Sequence, residues 1–457
     1  MQLPLDATGI VSHFDARITA FEGVVARMIA ESEARIIASI DGAPSNPPAD
    51  PEPPAVDPPS STGSDSKSGG NLADGWLVRD PKPDAIRLEA GQSIHDAVTT
   101  GRDVLLPAGS VWTITEPLEP RDGQLIGVYG DGDRPEINAK SCTGFALRSV
   151  SNVQLVGLAI RLERSGQDDE RGIDIRGTGL SGILIEDCLI EGGKDNIAAV
   201  SGTQVGDTIS SGLTISRCIL LGAWSARTHA TNFYVNRWDN WQVIETVMDG
   251  VQIAPDGTDR RDDQSHNIYA QYNAGDPHTT GLIDGCYLAR GSSHGFQVRS
   301  RAHVRDTISD GNAIVGSIFS GGSVERFVGM NAVNLPGNNP LGVGLQALGG
   351  VEVEDVVLAR RLAETGRKVA LQIDGGDTPV NVRVLGPWTT NSYGPVRAGD
   401  GRYSGPGVFY SEDPDDFRDA SAKVSEGTRD AWLGRPRGVV PKIKAECARL
   451  LEAYQID

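Results

Sequence analysis

The chain has 457 residues, 39% of them hydrophobic, with 56 Gly and a formal net charge of −19. That length holds an ample core, and the acidic balance speaks against nucleic acid and anionic membrane surfaces as partners. No stretch is apolar enough to span a bilayer, and the N-terminus lacks a basic stretch followed by an apolar run. Synthesis in the cytoplasm without a signal peptide, and no membrane insertion, are therefore expected.

The first element is a helix. Over residues 8–40, Phe14, Ile18, Phe21, Val25 and Met28 are spaced 4, 3, 4 and 3 apart, and Ile29, Ile36 and Ile40 continue a shifted stripe. This is an amphipathic seam of two to three heptads. Residues 43–75 follow as a linker, Pro-rich and then Ser/Gly-rich, which cannot bury a core. An apolar helix on such a tether needs a partner outside its own domain. Residues 1–42 are thus expected to trimerise the chain or to anchor it on another protein.

From residue 76 to 395 one rhythm dominates. Nine segments share it, beginning at Ser151, Ser181, Ser211, Asp239, Thr279, Ser300, Ser320, Gly349 and Thr378. Their fifth positions are all aliphatic: Leu155, Ile185, Ile215, Val243, Ile283, Val304, Val324, Val353 and Val382. Their eighth are mostly small or apolar: Leu158, Cys188, Cys218, Thr246, Cys286, Thr307, Phe327, Val356 and Leu385. Starts 20 to 40 residues apart, each with alternating strands, are the mark of a stacked solenoid. A second strand recurs in phase, opening at Gly144, Gly172, Asn196, Asn232, Asn267 and Gly295. Gly and Asn there predict a tight corner with positive φ. A β-sandwich with coincidental spacing is the alternative, but two strand families in phase favour the helix.

The entry carries a resemblance. Ser93–Ala97 reads as a short capping helix, Val104–Gly109 as V-x-L-P-A-G, and a strand then leads to the Leu/Gly motif at Leu125–Gly130. These resemble the opening of pectate-lyase-like right-handed β-helices, over roughly residues 85–390. The resemblance implies an all-β fold, a right-handed single-stranded parallel β-helix, here with an N-terminal amphipathic helix. It implies no activity, because that superfamily holds lyases, hydrolases and pure binders. Helix, spacer and β-helix together look like the architecture of phage tailspikes and related virion or gene-transfer-agent spikes. That likeness implies a homotrimer on the surface of a virion or virus-like particle. It also implies a particle adaptor protein held through residues 8–40, and bacterial surface polysaccharide as ligand.

Beyond residue 390 the rhythm fades. Residues 396–457 are expected to cap the open end, with a terminal helix over 440–454 whose stripe is Ile443, Cys447, Leu450 and Leu451. A trimer contact is the alternative. Three of the five cysteines occupy the eighth repeat position, and Cys142 and Cys447 stand apart. Free thiols are expected, although Cys188 and Cys218 could meet on adjacent coils. No CxxC or Cys/His cluster predicts a metal, Asp262 and Asp263 lack EF-type spacing, and no cofactor is expected.

In a solenoid, loops at one corner stack into one edge. The edge before the second strand holds Asp168, Asp169, Glu170, Lys194, Asp195, Arg227, His229, Arg260, Arg261, Asp262, Asp263, His266 and His294. The outward positions of the second strand add Tyr234, Asn236, Tyr269, Gln271, Gln297 and Arg299, with Trp224, Trp238 and Trp241 in the same stretch. Rings cover the apolar faces of sugars, while amides and guanidinium pair with hydroxyls or carboxylates. The carbohydrate-binding set is therefore Trp224, Arg227, His229, Tyr234, Asn236, His266, Tyr269, Gln271, His294, Gln297 and Arg299. A trimer interface is the competing reading of the same residue types.

For catalysis the candidates are Asp168, Asp169, Asp195, Asp262 and Asp263. Coils ~4.8 Å apart can hold carboxyl pairs at the ~5 Å or ~6.5–9.5 Å that glycosidases use. A lyase would draw on Arg227, His229, His266, Arg299 and Lys194. The chain has no N-T-D block, and Ser293-His294-Gly295 only echoes the G-H-G of polygalacturonases, so pectin cleavage is not expected. The net charge argues against a highly anionic polymer, unless Arg260, Arg261 and Arg299 form a positive strip.

Overall fold

The structure is a computed structural model. It describes residues 77–163, 170–202, 206–253, 264–272, 279–331, 342–360, 368–388, 394–399, 401–413 and 423–454. The expectations for the helix at 1–42 and the linker lie outside these residues.

A single chain winds through three stacked faces. On the first, the strand Ser181–Glu186 pairs in parallel with Gln154–Val156 before it and Ser210–Ser216 after it. On the second, Leu189–Glu191 pairs likewise with Ala159–Glu163 and Ile219–Ala223. On the third, Asp195–Ser201 pairs with Ile173–Gly177 and Thr231–Asn236. Among the described residues, antiparallel pairing joins Val396–Ala398 to Gly401–Arg402, and the other strand pairs are parallel. This is a single-stranded parallel β-helix.

The aliphatic ladder stacks as the repeat requires. Leu155 sits on Ile185, then Ile215, Val243, Ile283, Val304, Val324 and Val353, each the registered partner of the next. All are buried, and each such side chain contributes about 1.5–3 kcal/mol. The ninth segment is a correction. Val382 registers with Val356, not Val353. The turn into that coil is three residues shorter than the repeat implies, and Val382 therefore takes an eighth position.

The left-handed corner also lies elsewhere than the sequence suggests. Gly144, Gly172, Asn196, Asn232, Asn267 and Gly295 do not have positive φ. That conformation belongs to the seventh repeat position: Gly157, Asp187, Arg217, Glu245, Gly285, Asp306, Arg326 and Asp355, with φ between 45° and 70°. Asn381 (φ 48°) continues the series once the ninth register is set. The Gly/Asn restriction has two other causes. A Cβ on Gly172 would meet Ile190 Cγ2 at 2.3 Å and Asn196 O at 2.4 Å, so only a bare backbone fits. The asparagines form a buried ladder: Asn196 Nδ2 donates to Asn232 Oδ1 (2.7 Å), Asn232 Nδ2 to Asn267 Oδ1 (2.8 Å) and Asn267 Nδ2 to Asn312 Oδ1 (3.1 Å).

All five cysteines are free and buried. Cys188, Cys218 and Cys286 donate S–H to the carbonyls of Leu155, Ile185 and Val243, each at 3.4 Å, inside the left-handed corner.

Two straps cover the outside. The entering segment crosses the first face, where the Leu77 and Val78 amides donate to Glu186 and Arg79 pairs with the buried Asp103. The C-terminal helix Ile443–Ala453 differs from the end cap expected for it. It lies on the flank, burying Ile443, Cys447, Leu450 and Tyr454 together with Val247, Tyr287, Ile308, Val328 and Val357. The second face is apolar outward in those coils and needs this cover. Ahead of the helix, Arg435 reaches back to Asp187, which also holds Arg134 and the Gly438 amide.

Replacing Asn232 by Ala removes a link bonded on both sides: Asn196 Nδ2 keeps its bond to Leu221 O but loses the one to Asn232, and the Asn267 side-chain oxygen loses its donor. A loss of about 3 kcal/mol in unfolding free energy is expected by urea denaturation. A loss below about 1 kcal/mol would show that the ladder is incidental to stability.

Candidate functional site

Registered positions of adjacent strands lie about 4.8 Å apart, so the outward side chains of the third face form columns. One runs Asp195, Thr231, His266. The next runs Ala198, Tyr234, Tyr269, Gln297, and the third Val200, Asn236, Gln271. The columns border a groove of about 600 Å³ lined by Arg171, Arg176, Lys194, Asp195, His229, Thr231, Tyr234, Gln264, His266, Tyr269, Gln297 and Arg299. A smaller depression of about 290 Å³ lies at Gly350–Glu354 and Asp377–Val380, with no aromatic lining.

The floor is aromatic. The rings of Tyr234 and Tyr269 lie 5.6 Å apart at 37°. Gln271 Nε2 donates to the Tyr234 hydroxyl (2.5 Å) and fixes that ring. The Arg299 guanidinium stands 5.5 Å over Tyr269, a cation–π contact. Burial pushes the Tyr234 phenol up to about 12. Burial also raises Tyr269, with Arg299 opposing it. Both hydroxyls are therefore neutral near pH 7 and can donate as well as accept.

Two imidazoles back the floor. His266 meets Tyr269 edge-on at 4.9 Å and His294 at 4.7 Å. Burial holds His266 well below the usual histidine range, helped by His294, His229 and Arg299. Burial and Arg299 depress His294 to about 3. His294 Nδ1 is bonded to Ser293 Oγ at 2.8 Å, whereas His266 Nδ1 is buried with no hydrogen-bond partner among the described residues.

The near wall is ionic. Asp174, buried, binds Arg148 (3.0 Å) and Arg176 (2.8 Å), with Arg171 at 3.9 Å. Arg171 Nε donates to Asp195 Oδ2 at 3.0 Å. Burial raises the Asp195 carboxyl above the usual range, and Arg171 and Lys194 pull it partly back.

Of the carbohydrate-binding set, His229, Tyr234, His266, Tyr269, Gln297 and Arg299 line the groove. Gln271 supports it from beneath, and His294 stands behind His266. Asn236 is buried and does not line it. Trp224 and Arg227 do not line it either; the Trp224 amide bonds to Gly193 O and Arg227 is exposed. Trp238 and Trp241 are core residues, Trp241 packing on Phe233 at 6.0 Å. Both sit on first-face strands, Trp238–Asp239 and Trp241–Ile244, with their side chains in the core. Of the catalytic candidates, Asp195 lines the groove but is held by Arg171, and Asp168, Asp169, Asp262 and Asp263 lie outside the described residues. Among the described residues no group of three or more His, Cys, Asp and Glu could hold a metal ion, and no helix is long and apolar enough to cross a membrane.

Sequence reading did not select Arg171, Thr231 and Gln264. The polar column beyond Gln297, namely Ser317, Gln346, Gln372 and Arg397, was also missed. Its signal was the alternation in the later coils, where Ser317 Oγ donates to Gln346 Oε1 (2.8 Å) and Gln346 Nε2 to Gln372 Oε1 (3.2 Å).

No family model matches the chain, and no curated protein matches it in sequence. Among solved structures it is similar to the ORF18 protein of Geobacillus virus E2, at 10% identity and TM-score 0.35, over 68% of this chain and 54% of that one. Pectate lyase Pel9A shares 13% identity over 77% and 82% of the two chains, TM-score 0.36. The Dettilon tailspike protein shares 11% over 72% and 68%, TM-score 0.38. The chain spans about half the length of the Geobacillus virus protein. The fold is a parallel β-helix. That statement rests on the parallel register of its own strands.

The depressed imidazoles set a pH dependence. Folded His294 takes a proton only at about pH 3, while an unfolded imidazole takes one near ~6.5. Between those values the unfolded chain binds more protons, so this contribution is intact above pH ~6.5 and is lost as pH falls toward ~3. Comparing His266→Asn/His294→Asn with the parent by urea unfolding from pH ~7.5 to ~4, the parent is expected to lose more stability on acidification. Equal slopes would mean that the two imidazoles ionise in the folded chain as freely as in the unfolded one.

Proposed function

We propose that the third-face groove binds a bacterial surface polysaccharide, and that the chain acts as a spike on a phage-like or gene-transfer particle, attaching it to the host cell. The observation that carries the binding reading is the stacked Tyr234–Tyr269 pair with Gln271, Gln297 and Arg299 around it. An aromatic platform takes the apolar face of a sugar ring, and the Gln297 amide and Arg299 guanidinium that line the groove take the hydroxyls. In this reading residues 1–42 engage the particle adaptor or trimerise the chain, residues 43–75 are the spacer, and residues 396–457 brace the β-helix. The attachment part rests on that sequence organisation.

Cleavage of the bound polymer is a second reading, favoured by Asp195. A buried carboxyl with a raised pKa is what a general acid needs. A partner carboxylate for hydrolysis would come from the loops holding Asp168, Asp169, Asp262 and Asp263.

The test is incubation of the full chain with capsular polysaccharide and lipopolysaccharide from candidate hosts, following retention and polymer size together. Retention is expected, with Tyr234→Ala and Tyr269→Ala each weakening it about tenfold. If both variants bind as the parent does but lose their oligomeric state, the tyrosine face is an interface and the binding reading fails. Falling polymer size that stops in Asp195→Asn would establish depolymerisation; constant size would leave pure attachment.

A further inference from the structure

The charge of the groove runs against the charge of the chain. The protein carries −19 overall. Yet among the described side chains that line the groove, Arg171, Arg176, Lys194 and Arg299 are cationic and Asp195 is the one carboxylate. The two imidazoles behind the tyrosines add no negative charge. We propose, building on the glycan-binding reading above, that the ligand is an acidic glycan whose anionic groups, carboxylate or phosphodiester, seat on cations at both ends of the tyrosine platform.

The placement of those cations supports this. Arg176 lies in the third-face strand Ile173–Gly177, and Arg299 directly follows the strand Phe296–Val298 four steps on. At about 4.8 Å per step they stand roughly 19 Å apart along the axis. Of the three strands between them, two carry Tyr234 and Tyr269 in the outward column and the one next to Arg176 carries Ala198. One anionic group would sit at each end and uncharged ring faces would lie between, so the groove suits a polymer with acidic groups repeated along its length.

The cations are also oriented rather than free. Asp174 fixes Arg148 and Arg176, and Asp195 fixes Arg171. Two buried carboxylates thereby hold the two lining guanidinium groups, Arg171 and Arg176, which lowers the ordering cost of ligand binding. At the far end Arg299 is exposed, with its guanidinium carbon 5.5 Å from the centre of the Tyr269 ring, and among the described residues no carboxylate pairs with it. A planar guanidinium held this way keeps its N–H edge for bidentate pairing with a carboxylate or phosphate. The field of a local positive strip in an acidic protein is confined to the groove, which selects for position as well as for charge.

The experiment uses the full chain and affinity electrophoresis against polygalacturonate, alginate, hyaluronan, a glycerol-phosphate teichoic polymer, dextran, and carboxyl-reduced forms of the three uronate polymers. Binding to at least one acidic polymer is expected, weakened at least tenfold by carboxyl reduction if the group is a carboxylate. Binding of the teichoic polymer alone would assign the group as phosphodiester. Arg299→Gln and Arg176→Gln are each expected to weaken the acidic polymer about tenfold and to leave a smaller salt dependence between about 0.05 M and 0.5 M NaCl. Circular dichroism of both variants checks that the fold is retained. Equal affinity for charged and carboxyl-reduced or neutral polymers overturns the anionic assignment and leaves glycan binding standing. The same holds for acidic binding that neither arginine variant changes. Binding to none of these polymers, and to none of the host polysaccharides, overturns both.

Discussion

Everything in this molecule depends on one constraint: a parallel coil stacked on its neighbour places each residue on its own counterpart about 4.8 Å away. Whatever stands at a position is therefore repeated in space as a ladder. Aliphatic positions become the core ladder from Leu155 to Val353. Asn196, Asn232 and Asn267 become a chain of side-chain hydrogen bonds. Tyr234 and Tyr269 become a platform. A loop of any length can be inserted between strands without disturbing the ladder, which is why starts from 20 to 40 residues apart still stack.

The same constraint creates a cost at the corners. Each coil must turn sharply between the first and second faces, and one residue there takes positive φ in every repeat from Gly157 to Asn381. Only two of these are Gly. The corner residue instead carries charge in most coils, and its side chain leaves the core to pair along the axis, as Arg217 does with Glu245 and Arg326 with Asp306. Inside the same corner Cys stands in three coils and Thr in two, and they donate to main-chain carbonyls. The free cysteines are thus packing devices, with thiols raised by burial at Cys218 and Cys286, far from nucleophilic use.

The groove and the straps divide the outer surface between them. Where the second face is apolar outward, the C-terminal segment covers it and ties back to Asp187 through Arg435. The third face carries the tyrosines, imidazoles and cations. Its buried acids do structural work first: Asp174 and Asp195 orient arginines. A carboxylate read from sequence as catalytic can be, in space, the counter-ion that aims a guanidinium.

The β-helix, its register through eight coils and the inward positions of both strand families were legible in the sequence, because period-two alternation recurring once per coil leaves one stacking in which every aliphatic residue is inside. Tyr234, Tyr269, Gln297 and Arg299 followed from the same parity. What the sequence could not carry were relations across coils and across the chain. The slip of the ninth register at Val382 depends on a turn length that no pattern marks. The left-handed corner at the seventh position was hidden because Asp, Arg and Glu there do not announce positive φ. The capture of Asp195 by Arg171 joins residues 24 apart in sequence, and the return of Arg435 to Asp187 joins residues 248 apart. Local periodicity decides which side of a strand a residue faces; only the tertiary structure decides what stands opposite it.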